Sequence, residues 1–154
     1  RKGNIHRFSK TTKRSQYSKT KKCNKYIKNT SNCYELNLKL EGDMIHELVL
    51  FSDKDGNGLF LIFNLVDGEI VVDRSNVGEA FATEYSSVRT APIAPADTTA
   101  RIFIDNSVFE IFVNDGEMVF SGRVFPRADQ THISILQGDP TGVYYPLLSY
   151  TNPN

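Results

Sequence analysis

The sequence predicts an all-β protein, an antiparallel β-sandwich of two sheets. Three observations carry that prediction. From Tyr34 to Tyr150, short runs alternate apolar and polar residues with a period of two. Turn residues rich in Gly, Asn and Asp punctuate those runs at regular spacing. No stretch repeats its apolar residues with a helical period. Around ten short strands are expected, without the self-similarity of a propeller or solenoid. At 154 residues and 40% apolar content, the chain can bury one core without disulfide or metal staples.

Taken in order, the chain divides at its first acidic residue. Residues 1–34 hold 11 of the 18 Lys and Arg and no acid, while the remainder holds 7 against all 18 Asp and Glu. The halves therefore carry net charges of +11 and −11, a basic segment on an acidic domain. We place the boundary between residues 1–33, a poorly patterned basic segment or linker, and residues 34–154, the sandwich. The basic residues could contact a polyanion, but a solvated tail held near the acidic domain explains them as well, so nucleic acid is not the expected partner. No run reaches the length of a membrane span, and none has the apolar centre of a secretory signal. No membrane partner and a cytoplasmic location are expected. Cys23 and Cys33 are expected as free thiols, since nothing at metal-ligand spacing accompanies them.

Tyr34, Leu36, Leu38 and Leu40 share one strand face, with Glu35, Asn37, Lys39 and Glu41 opposite, which predicts a half-buried strand beside water. Strands over His46–Ser52 and Leu59–Val66 flank Asp55-Gly56-Asn57-Gly58, and Asp67-Gly68 turns the chain into a strand over Glu69–Asp73. A short strand near Glu84–Arg89 and a Pro-marked connection follow. Arg101 to Pro126 reads as two long strands folded back at Asn114-Asp115-Gly116, with a kink or bulge at Asp105-Asn106-Ser107. Both faces of Val108 to Val113 are apolar enough to predict cover on each side. His132–Gln137 and Val143–Tyr150 complete the set. The expected core is Leu36, Leu38, Leu48, Leu50, Leu61, Phe63, Val71, Ile102, Ile104, Ile111, Phe112, Val113, Phe120, Phe125, Ile133 and Ile135.

The stretch Arg101 to Pro126 resembles the C-terminal β-sandwich module of glycoside hydrolase family 32, which includes invertases, sucrose-6-phosphate hydrolases, inulinases and levanases. The pattern is an arginine (Arg101), alternating apolar residues, Asp105, a break with Ser107, Glu110, Ile111-Phe112-Val113, Asn114-Asp115-Gly116-Glu117 and Arg123-Val124-Phe125-Pro126. Asn106 departs from it, standing where the family commonly has Arg. Tyr34-Glu35-Leu36, Val72-Asp73-Arg74-Ser75 and the segment from Tyr85 to Arg89 extend the match with less force. The basic segment lacks the strand and linker the family has there. The resemblance implies structural roles for Asp73, Arg74, Arg89, Asp105, Glu110, Asn114, Asp115, Gly116, Arg123 and Pro126. It also implies a partner, the catalytic five-bladed propeller of a β-fructofuranosidase, with oligomer contacts in some members.

Several residue groups are candidates for chemistry beside that resemblance. Asp53-x-Asp55-x-Asn57-Gly58 fits the first half of a calcium loop, but Asn64 stands where a bidentate Glu is needed, and a hairpin turn explains the same residues. Glycosidases need two carboxyl groups held about 5 to 10 Å apart. Glu110, Asp105, Asp115 and Glu117 qualify by type only. Glu110 is expected to be buried mid-strand and paired with Arg74, Arg89 or Arg123. The nucleophile, stabiliser and acid/base motifs of the family's propeller are absent from this sequence. His6, His46 and His132 are scattered without metal-ligand spacing, so no cofactor or metal is expected. Tyr144, Tyr145 and Tyr150 could stack on a sugar ring, which supports a second reading as a stand-alone carbohydrate-binding module. Strand packing is the simpler reading of the same tyrosines.

Overall fold

The computed structural model describes residues 6–8, 25–27, 30–78 and 86–147. Through them run β1 (His6–Phe8), β2 (Lys25–Ile27), β3 (Cys33–Leu40), β4 (Ile45–Ser52), β5 (Leu59–Asn64), β6 (Glu69–Asp73), β7 (Val88–Pro92), β8 (Thr98–Asp105), β9 (Val108–Val113), β10 (Met118–Arg123), β11 (His132–Gln137) and β12 (Thr141–Pro146). A front sheet has the order β1-β12-β3-β8-β9-β10, and a back sheet the order β2-β11-β4-β5-β6-β7. Every pairing is antiparallel. Among the described residues there is no helix. This is the sandwich expected from the alternation.

The core lies between the sheets. Leu36, Leu38, Ile102, Ile104 and Ile111 come from the front, and Leu48, Leu50, Leu59, Leu61 and Phe63 from the back, all exposed by 2% or less. At about 25 cal/mol per Å² of apolar surface removed from water, these side chains are the main stabilising term. Three residues expected in the core are not there. Val71 and Phe112 are half-buried, because each stands between two residues that point inward (Ile70 and Val72, Ile111 and Val113) and so faces out. Phe125 is 48% exposed, and its neighbour Val124 takes the buried position.

The stretch from Arg101 holds three strands rather than two. Asp105 pairs directly with Val108, so Asn106 and Ser107 reverse the chain completely where a kink was expected. Asn106 takes φ +56°, a left-handed conformation that Asn tolerates better than most residues. The second reversal occupies residues 114–117, one more than expected, between Val113 and Met118. Asn114 and Asp115 both have positive φ (50° and 58°), the primed turn that suits the twist of a hairpin, and Gly116 follows at 90°. The basic segment contributes one short strand to each sheet, β1 on β12 and β2 on β11, where no strand pattern was legible. Cys23, Glu84, Tyr85 and Tyr150 lie outside the described residues.

Candidate functional site

The outer face of the front sheet is where polar and aromatic side chains gather. Glu35 on β3 was expected beside water but is only 1% exposed. β3 is an inner strand between β12 and β8, and Glu35 stands opposite Phe103 in the register. Arg101 Nε donates to Glu35 Oε2 at 2.9 Å, and the arginine carbon lies 4.9 Å from the Phe103 ring centre. Phe103 and Phe112 meet edge to face, with centroids 5.9 Å apart. A groove of about 620 Å³ runs over this cluster, lined among others by Asn37, Lys39, Arg101, Phe103, Phe112 and Asp115. Arg101 stands out in the sequence as a pattern residue, but its partner Glu35 lies 66 positions earlier and is brought to it by the sheet register.

The remaining pattern residues are spread over the molecule. Asp105 and Glu110 are exposed. Glu110 stands across from Phe103 on one side and Ser121 on the other, so the expected burial beside Arg74, Arg89 or Arg123 does not occur. Asn114 anchors its turn, accepting from the Thr99 N–H on Oδ1 at 3.0 Å while its own N–H donates to Thr99 O at 2.9 Å. Asp115 and Gly116 are exposed at the turn tip, and Arg123 is exposed at the end of β10 opposite Val108. Asp73 Oδ1 accepts from the N–H and hydroxyl of Ser75 at 2.9 and 2.6 Å. Arg74 and Arg89 border a cleft of about 20 Å³ between the sheet edges, beside Phe109 and Gly122. That is about the space of one water, too little for a sugar. Pro126 is half-buried next to Gly78, where any Cβ would meet the Phe125 carbonyl at φ +55°.

The candidate calcium loop is closed by its own chain. Asp53 Oδ1 accepts from the N–H groups of Asp55 and Asn57 at 2.9 and 3.0 Å. Asp53 Oδ2 accepts from Asn57 Nδ2 at 3.3 Å and from Arg127 Nη2 at 3.0 Å. Burial alone would raise the Asp53 pKa, but the hydrogen bonds from Asn57, Asp55 and Arg127 outweigh it and leave it below the usual value. Nearby, the buried Gln130 amide links distant segments. Its Oε1 accepts from Gly78 and Arg127 N–H at 2.8 and 2.9 Å, and its Nε2 donates to Asn76 O at 3.3 Å. Neither Arg127 nor Gln130 was visible as a site, since Gly78, Asn76 and Asp53, on which they act, lie 52 to 74 positions away.

Other candidates are structural. His46 is fully buried, its Nδ1 accepting from Asp139 N–H and its Nε2 lying 2.9 Å from Glu41 O, which makes Nε2 the protonated nitrogen. Tyr144 is 5% exposed and lies 5.3 Å from the Tyr34 ring, so it offers no platform for a sugar. Cys33 is a buried free thiol whose pKa is raised by burial and by Asp105. Among the described residues, no group of three or more His, Cys, Asp or Glu gathers where a metal could bind.

Comparison with known proteins supplies the family. The family model described as glycosyl hydrolases family 32 C terminal matches residues 2–144, starting within the basic segment. A sucrose-6-phosphate hydrolase of Streptococcus mutans is 47% identical over 122 residues, which is 79% of this chain and 26% of that protein. A sucrose-6-phosphate hydrolase structure from Lactobacillus gasseri superposes with a TM-score of 0.80 at 27% identity, over 96% of this chain and 28% of that one. An exo-inulinase structure from Aspergillus awamori shares the fold, with a TM-score of 0.73 at 16% identity over 94% and 29% of the two chains. The chain thus spans about a quarter of the proteins it resembles. It belongs to glycosyl hydrolase family 32, as the C-terminal β-sandwich domain of that family.

Proposed function

We propose that this domain is the accessory sandwich of a β-fructofuranosidase-type enzyme acting on sucrose or sucrose 6-phosphate. In this reading it packs against the five-bladed catalytic propeller and stabilises it. One observation carries the proposal: 47% identity to the Streptococcus sucrose-6-phosphate hydrolase, confined to 26% of that protein's length. The dispersal of the acids supports it. Asp105 and Glu110 stand on an open sheet face, and Asp115 lies in an exposed turn, so these candidates offer no enclosed pair of carboxyls for acid/base work among the described residues. The reactive acids belong to the propeller.

The purified chain should release no fructose from sucrose or sucrose 6-phosphate. Added to the catalytic part of the Streptococcus relative, it should raise that part's thermal midpoint. Fructose release by the chain alone, free of contaminating hydrolase, would overturn the reading. The lectin-like alternative instead requires saturable fructan binding by the isolated chain, measured by titration. We extend the proposal to a cytoplasmic location, which fits the unpaired, buried Cys33 thiol. Fractionation of cells producing the tagged chain tests it, and recovery outside the cell would refute it.

A further inference from the structure

We propose that β10, the free edge of the front sheet, pairs with β10 of a second copy of this chain, antiparallel and about a two-fold axis at Phe120. This self-pairing needs no catalytic domain and stands apart from the accessory reading above.

A strand with no neighbour on one side offers its amides and carbonyls to any chain that can reach them. Edges are therefore guarded by shortness, lysine, proline or bulges. The two sheets end in four edges, β1 and β10 in front, β2 and β7 behind. β1 and β2 are three residues each. β7 ends in Pro92, which has no N–H to donate. β10 has none of these guards. It runs six residues, Met118–Arg123, without lysine or proline and with one charge, at its end. It pairs with β9 through all six without a register shift. Val119, Ser121 and Arg123 are exposed along it. Val119, at 49%, is an exposed large apolar residue in the middle of that edge.

The residues of the edge decide what fits it. Phe120 is buried and Met118 and Gly122 are half-buried, so these three point toward the core. Glu117, Val119, Ser121 and Arg123, all exposed, alternate with them. In a continued sheet, directly opposite residues share a face, so exposed residues must meet exposed ones. That excludes superposing the six residues end on end, which would set Val119 against the partner's Gly122. A two-fold at Phe120 is permitted. It sets Val119 against the partner's Ser121, and Glu117 against the partner's Arg123, at both ends of the seam. A two-fold at Ser121 is also permitted, but it sets Glu117 against the partner's Phe125 and makes no charge pair.

Charge therefore selects both the register and the occupant. An identical strand running the other way supplies a base for each acid. Neither Glu117 nor Arg123 has an ion-pair partner within the chain among the described residues. The formal net charge of the chain is zero, so no long-range repulsion holds two copies apart. A seam from Met118 to Gly122 is about 17 Å long at ~3.4 Å per residue. A contact that small belongs with weak, reversible interfaces, so the dimer forms and dissociates with concentration.

The test is sedimentation equilibrium of the full 154-residue chain over a range of concentrations, with a thermal melt of every variant to report folding. The unaltered chain should show a reversible monomer–dimer equilibrium. Val119→Lys, which places a guard in the middle of the edge, should weaken it about tenfold or more. Glu117→Arg and Arg123→Glu should each weaken it about fivefold, and the two together should restore it, because the signs are exchanged and the pairing is kept. Thr90→Lys, on exposed β7, should change nothing. The charge reversals carry the test if Val119→Lys unfolds. A monomer at every concentration would overturn the proposal, as would a dimer that Val119→Lys leaves intact or that Thr90→Lys dissociates. Loss in both single reversals without recovery in the double one would overturn the Glu117–Arg123 register.

Discussion

Two glutamates on the outer sides of the two sheets are in opposite situations. Glu35 on β3 is almost fully buried, yet Arg101 donates to it at 2.9 Å. Glu47 on β4 is only half-buried, but it stands opposite Ile62, and burial raises its pKa. The more deeply buried carboxylate has a charge partner to offset its loss of water, whereas burial of the shallower one raises its pKa. Depth alone therefore does not decide whether an outward acid is tolerated; the residue across the ladder does.

Four experiments, using six substitutions, sharpen or break that contrast. Ile111→Ala should cost about 2–5 kcal/mol in a urea melt, while Phe112→Ala, one residue along on the open side, should cost about 1 kcal/mol or less in the isolated chain. Equal losses would mean the front face is covered after all. Arg101→Leu should cost about 2–3 kcal/mol, below the ~3–5 kcal/mol of a fully buried pair because the arginine is half solvated. Adding Glu35→Leu should restore most of that loss, and a double variant as unstable as the single one would show that the pair is not coupled. Asp53→Asn should cost about 1–2 kcal/mol at neutral pH. Because the folded-state pKa of Asp53 is depressed, its contribution is present above the unfolded value of about 3.9 and is lost as pH falls through the folded one. The variant should therefore show a flatter stability profile below about pH 4, and an unchanged acid limb would count against the assignment. Glu47→Gln should have the smallest effect, a gain within about 0.5 kcal/mol at pH 7. The raised pKa of Glu47 means that protonation favours the folded state, so the native chain gains stability as pH drops through that pKa. The variant should lack this gain, as parallel melts at pH 4 and pH 7 would show.

Much of the fold was legible because alternation reports direction. Leu36, Leu38 and Leu40, or Leu59, Leu61 and Phe63, could point only one way together, and all are buried. Alternation does not report what lies over the other side. That is why Glu35 was placed in water and Phe112 in the core. The reversal at Asn106 was read as a kink because no glycine marks it, although Asn accepts positive φ. The surface cluster was legible only in part. Arg101, Asp105 and Glu110 stood out through the family pattern, but the pairing of Arg101 with a residue 66 positions earlier follows from the sheet register alone. Gln130 and Arg127 gave no local signal, because beyond their contact with each other the segments they join come from remote loops.

One feature of the topology constrains how the chain is made. β3 precedes β8 and β12 in the sequence but sits between them, pairing with residues as late as Pro146. Domains dominated by such non-local strand pairings fold slowly, typically in milliseconds to seconds. On a ribosome, the front sheet cannot acquire its final neighbour until the chain as far as Pro146 has left the exit tunnel. Until then one edge of β3 is an unpaired ladder, so a nascent chain stalled shortly before Thr141 would be the form most in need of a chaperone.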